Sequence, residues 1–85
     1  MPGPEIILYT RQGCHLCDEA KSQIAPLLRE FAASLQEVDI DTDPELRRQF
    51  DADVPVIFVA GKKAAKHRVD LVQFRRQLQE ASQSG

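Results

Sequence analysis

The chain has 85 residues, with 11 Lys and Arg against 13 Asp and Glu for a formal charge of −2, and is 42 % hydrophobic and 28 % charged. Those figures fit one globular domain, residues 1–85, and argue against a disordered tail, a nucleic-acid binder or a protein held on anionic membranes. No apolar run approaches the roughly 20 residues that span a bilayer, and Met1-Pro2-Gly3-Pro4-Glu5 lacks the regions of a signal peptide, so the expected setting is a reducing cytoplasm.

Pro2 and Pro4 mark an irregular lead-in. Ile6-Ile7-Leu8-Tyr9 is apolar at every position, with β-branched and aromatic character, the pattern of a central strand covered on both faces. Arg11-Gln12-Gly13 is a short loop, and Gly13 permits a sharp turn. From Cys14 a helix is expected to about Ala33, because Ala20, Ile24, Leu27, Leu28 and Phe31 fall on one stripe. Pro26 inside it predicts a kink. Ser34 to Ile40 reads as a second strand with Val38 and Ile40 on one face, completing a parallel βαβ unit.

Asp43-Pro44-Glu45 combines an N-cap acid, a first-position proline and a first-turn acid. The short helix it starts should bury Leu46 and Phe50 and end near Asp51. Beyond the loop Asp51-Ala52-Asp53 and Val54-Pro55, the run Val56-Ile57-Phe58-Val59 is a third strand, again apolar on both faces. Ala60-Gly61-Lys62 makes a hairpin turn, and Lys63 to His67 a polar edge strand. In the last helix Asp70 is the N-cap and Gln73 stands at N3, while Val69 and Phe74 suit a hydrophobic staple. Leu71, Phe74 and Leu78 give its buried stripe, and Ala81 to Gly85 is expected to fray. The order is β-α-β-α-β-β-α, without an internal repeat.

The chemistry centres on Cys14-His15-Leu16-Cys17, which holds the chain's two cysteines. At i and i+3 of a helix start both sulfurs share a face, and a disulfide there closes too small a loop to restrain the unfolded chain much. Cys14 falls at or beside the N-cap, where free N–H groups and the helix dipole favour a thiolate, the form that attacks disulfides. Cys17, one turn in, should be less exposed. The pair therefore reads as a reactive dithiol, with Cys14 the nucleophile and Cys17 the resolving thiol. His15 is a candidate modulator, since its ring could approach the Cys14 sulfur and favour the thiolate.

Tyr9-Thr10-Arg11-Gln12-Gly13-Cys14-His15-Leu16-Cys17 and Val54-Pro55, set in this element order, resemble the thioredoxin superfamily and within it the small glutaredoxin-like proteins of bacteria. The resemblance runs from Ile6 to about Leu78, and Ile24-Ala25-Pro26-Leu27-Leu28 also looks like the kinked first helix of thioredoxin. It implies an α/β, thioredoxin-like fold: a four-stranded mixed sheet in the order 4-3-1-2 with helices on both faces and strand three antiparallel to strand one. It implies a cis bond before Pro55, with that proline facing the cysteines, and a Val54 backbone that pairs with the substrate chain. Arg11 would meet a glutathione carboxylate, and Asp70 is the surviving match to a Gly-Gly-Asp segment that helps hold glutathione. The chain departs from the family's Cys-Pro-Tyr-Cys at His15 and Leu16 and has Lys66-His67-Arg68-Val69 where the glycines would stand. Glutathione, a possible co-substrate, is therefore expected to bind weakly, and no resident cofactor is implied.

The expected activity is that of a thiol–disulfide oxidoreductase acting as a monomer on a disulfide-containing protein or small thiol, regenerated by a thiol reductant system. Two other classes compete. The cysteines could instead supply two ligands of a metal site, for which His15 and His67 are the remaining candidates although a closed zinc site needs four, or, as in some glutaredoxin relatives, hold an iron–sulfur cluster shared between two chains and completed by glutathione. The chain would otherwise be a redox-sensitive adaptor without turnover. Lys62, Lys63, Lys66, Arg68, Arg75 and Arg76 read as a solvated edge and helix face, and the aspartates from Asp39 to Asp53 as loop and cap residues. Tyr9 and Phe58 read as sheet core.

Overall fold

A computed structural model of the chain describes residues 3–84. Its elements are β1 (Glu5–Thr10), α1 (His15–Glu30), β2 (Ser34–Asp39), α2 (Pro44–Phe50), β3 (Val56–Val59), β4 (Lys62–Lys66) and α3 (Leu71–Ser84), with a 3₁₀ turn at Ile40–Thr42. The sheet order is β2-β1-β3-β4, with β1 parallel to β2, and β3 antiparallel to both β1 and β4. This is the expected four-stranded mixed sheet.

The apolar runs of β1 and β3 are continuous because both faces of the sheet are covered, and strand alternation divides them cleanly. Ile6, Leu8, Ile57 and Val59 face one way and pack with Ala20 and Ile24 of α1 and Phe74 and Leu78 of α3. Val56, with partly buried Tyr9 and Phe58, belongs to a second cluster that holds Ile40 and Phe50. There Tyr9 stacks on Phe50 with ring centroids 4.6 Å apart, and Phe58 meets both rings edge-on. The helices thus lie on both faces, α1 and α3 opposite α2.

Several boundaries differ from the sequence expectation. Helix α1 stops at Glu30 rather than near Ala33, because Ala32 takes a left-handed conformation (φ 52°). Its N–H donates to the Arg29 carbonyl, and that of Ala33 to Leu28, a closing motif that usually employs glycine. Ala32→Gly is accordingly expected to stabilise the protein by about 0.5–1 kcal/mol, read as a higher urea midpoint at unchanged slope; a lower midpoint would contradict the cap. The helix continues through Pro26. Ile40 leaves β2 for the 3₁₀ turn, yet is fully buried.

In α3, Leu71 is 41 % exposed, so the buried stripe is Phe74 and Leu78 extended by Ala81 instead of Leu71. Having that core to pack on, Ala81 does not fray, and the helix runs to Ser84. Pro4 is buried in the lead-in, where its carbonyl accepts the Ser34 N–H, while Gly3 lies against the carbonyls of Phe31 and Ala32 so closely that a Cβ would clash. Pro2 and Gly85, the outer ends of the expected lead-in and frayed tail, lie outside the described residues. The β3–β4 hairpin turns on Ala60 and Gly61, both at positive φ, and β4 ends at Lys66, with His67 outside it at φ 65°. No helix among the described residues is long and apolar enough to cross a membrane.

Candidate active site

Strand β1 delivers the chain at Thr10, and Gly13 in the left-handed region (φ 77°) turns it into α1. The Cys14 N–H donates to the Arg11 carbonyl at 3.4 Å, closing that turn. Cys14 is the N-cap of α1, with extended backbone, and its Sγ accepts the Cys17 N–H at 3.1 Å. Sulfur thus fills the place that serine, threonine or aspartate oxygen normally takes, satisfying one of the unpaired donors at the helix start. Cys14 is half-buried, Cys17 is 2 % exposed, and a disulfide joins them across a Cα–Cα distance of 5.2 Å.

The side chain of His15 is 86 % exposed, and its Nε2 lies 3.7 Å from Glu19 Oε1 one turn on. This carboxylate, one turn along α1, is its ion-pair partner when the ring is protonated. Leu16, between the cysteines, lines a cleft of about 120 Å³ with Glu19, Ala20, Gln23, His67, Arg68 and Val69. The cleft brings the start of α1 against the turn that follows β4. In that turn the Arg68 N–H donates to the Lys66 carbonyl at 2.7 Å around His67, and the His67 N–H donates to the carbonyl of buried Pro55 at 2.9 Å. The Val54–Pro55 peptide bond is cis. Asp53 Oδ1 lies 3.8 Å from His67 Nε2 and 3.9 Å from Lys66 Nζ. Asp70 Oδ1 accepts the N–H groups of Val72 and Gln73, capping α3.

Arg11 reaches partners 30 and 40 positions along the chain. Its Nη2 and Nε donate to the two carboxylate oxygens of Asp41 at 2.8 and 3.3 Å. Its Nη1 donates to Asp51 Oδ1 at 2.8 Å and to the Asp51 carbonyl at 3.3 Å. Hydrogen bonds to Asp41, then to Asp51, raise the Arg11 pKa above its ordinary value. Arg47 Nε adds a contact to Asp41 at 3.3 Å. Asp41 and Asp51 were legible in the sequence only as loop and cap residues; they lie 30 and 40 positions from Arg11, beyond the reach of any local pattern. Among the described residues no group of three or more His, Cys, Asp or Glu is placed to hold a metal ion.

The glutaredoxin-like domain family (DUF836) matches residues 5–79. A glutaredoxin-like protein of Dictyostelium discoideum is 38 % identical over 71 residues, covering 76 % of this chain and 66 % of that one. The solution structure of a Nitrosomonas europaea protein superposes with a TM-score of 0.80 at 26 % identity, over 92 % of this chain and 94 % of the other. Oxidised mitochondrial thioredoxin 3 of Saccharomyces cerevisiae shares the fold alone, with a TM-score of 0.68 at 12 % identity over 94 % of this chain and 80 % of its own. With its cysteine pair at the start of α1 and its thioredoxin-like sheet, the chain belongs to the glutaredoxin-like family.

Proposed function

We propose that the protein is a thiol–disulfide oxidoreductase in which Cys14 attacks and Cys17 resolves. The observation that carries this reading is the asymmetry of the pair: a partly buried cysteine at a helix N-cap beside a second cysteine that is 2 % exposed. In the reduced protein the Cys14 thiolate attacks one sulfur of a substrate disulfide, whose S–S bond breaks as the first substrate thiolate leaves and takes a proton from water. Cys17, as thiolate, then attacks the Cys14 sulfur and expels the second substrate thiol. Two electrons have passed to the substrate, and the Cys14–Cys17 disulfide awaits an external thiol reductant.

The N–H of Cys17 supports the first step, because a donor held at the Cys14 sulfur stabilises negative charge there. The remaining assignments extend the same reading. The Val54 backbone pairs with the substrate chain beside Pro55, and Asp70, whose carboxylate also caps α3, contributes to substrate binding. The protein acts as a single domain and a monomer, in a cytoplasm whose thiol systems regenerate it. His15 remains the proposed modulator, but with its ring exposed and beside Glu19 its influence is small. His15→Ala should lower the thiolate fraction of Cys14 only slightly, followed by thiolate absorbance across a pH titration; a large loss would place the ring on the sulfur.

Lys66-His67-Arg68-Val69 in place of glycines predicts low turnover with glutathione, since side chains occupy the backbone approach that glycine leaves open. The test is the reduction of a small glutathionylated substrate beside a glutaredoxin control. Equal rates would contradict the assignment.

A further inference from the structure

We propose that Asp41 and Asp51 are specificity-determining residues that, by occupying Arg11, turn the Cys14 face away from small anionic disulfides and toward uncharged or protein disulfides. This rests on the oxidoreductase reading above. Arg11 precedes Cys14 by three residues, and its carbonyl accepts the Cys14 N–H, so its charge is built into the loop that presents the nucleophile. A guanidinium there is suited to receive a carboxylate in two-point contact. All three of its nitrogens are already engaged: Nε and Nη2 donate to Asp41, and Nη1 donates to a carboxylate oxygen and the carbonyl of Asp51. With Arg47 also on Asp41, two cations and two carboxylates sum to zero charge.

An arriving carboxylate would have to displace a 2.8 Å ion pair whose partners are held on the 3₁₀ turn and at the end of α2. It would also gain little long-range attraction, because the two carboxylates cancel the two guanidinium charges. A disulfide without charge beside its sulfurs is affected by neither. The cluster is only partly exposed at Arg11, where 31 % of the side chain is accessible, so solvent weakens the effect without abolishing it.

The experiment is a single-turnover one, with pre-reduced protein and no added reductant. Protein dithiol plus one disulfide gives protein disulfide plus two thiols, and loss of protein thiols is followed after mixing. Oxidised glutathione serves as the anionic disulfide and hydroxyethyl disulfide as the neutral one. Asp41→Asn with Asp51→Asn keeps an acceptor oxygen at each position, so the loop stays in place while two charges go. The ratio of the anionic to the neutral rate constant should rise about three- to tenfold, the neutral rate should hold, and added salt should shrink the gain. Adding Arg11→Gln should remove most of that gain. An unchanged ratio, or a gain that survives Arg11→Gln in full, overturns the proposal. The single Asp41→Asn and Asp51→Asn proteins should give intermediate ratios, and they carry the test if the double variant does not fold. Failure of the wild-type dithiol to react with either disulfide would instead overturn the oxidoreductase reading.

Discussion

Replacing Cys14 with serine is expected to reduce disulfide reduction to the uncatalysed background, whereas replacing Cys17 should leave the first attack intact and stop the cycle at the mixed disulfide. The difference follows from position. Cys14 sits only partly buried at the N-cap with an N–H on its sulfur, while Cys17 is buried one turn in. A serine hydroxyl at position 14 is scarcely ionised near neutral pH, so the helix terminus has no thiolate to stabilise. With serine at position 17, no internal thiol expels the second half of the substrate, and the covalent adduct persists until an external thiol arrives. Incubation of each variant with a protein disulfide, followed by non-reducing electrophoresis and intact mass, reads the outcome directly. Accumulation of adduct by Cys14→Ser and not by Cys17→Ser would reverse the roles.

The largest effect on stability is expected from Phe74→Ala. Phe74 is 1 % exposed and packs, with Leu78, into the cluster that joins α1, β1, β3 and α3. Truncation removes a large apolar side chain and leaves a cavity that a close-packed core fills only in part, at a cost of about 3–5 kcal/mol. In a domain of 85 residues this is a large share of a total stability on the order of 5–10 kcal/mol. Val72→Ala on the same helix is the control, because Val72 is 74 % exposed, and its cost should stay within about 0.5 kcal/mol. Urea unfolding of the three proteins separates them, and a Phe74→Ala cost below about 1 kcal/mol would mean that α3 does not close this core.

The contrast between those two residues also shows what the sequence could and could not reveal. Strands and sheet-facing helices were legible wherever the apolar period was unbroken: β1 and β3 read as two-faced strands, and each face has its own cluster. The start of α2 was legible from Asp43-Pro44-Glu45, since capping is local chemistry; the Asp43 carboxylate accepts the Glu45 N–H. Leu71 misled because an apolar residue one turn before Phe74 fits the period, yet at the first residue of α3 it overhangs the core. The stop at Ala32 was hidden because alanine is an unusual residue at positive φ, so no glycine announced it. At the site, the Cys14–Cys17 spacing was enough to place the reactive pair. The clamp on Arg11 was not legible, because Asp41 and Asp51 reach it only after the chain has folded back across β2 and α2.

Steady-state reduction of a protein disulfide tests catalytic turnover through Cys14 and Cys17. The assay is run in parallel with a thioredoxin-type reducing system and with glutathione plus its reductase. Turnover is expected to depend on both cysteines and to be supported better by the thioredoxin-type system than by glutathione. A Cys14–Cys17 disulfide that forms and breaks reversibly, with no substrate reduced above background in either system, would contradict it and leave a redox-sensitive adaptor.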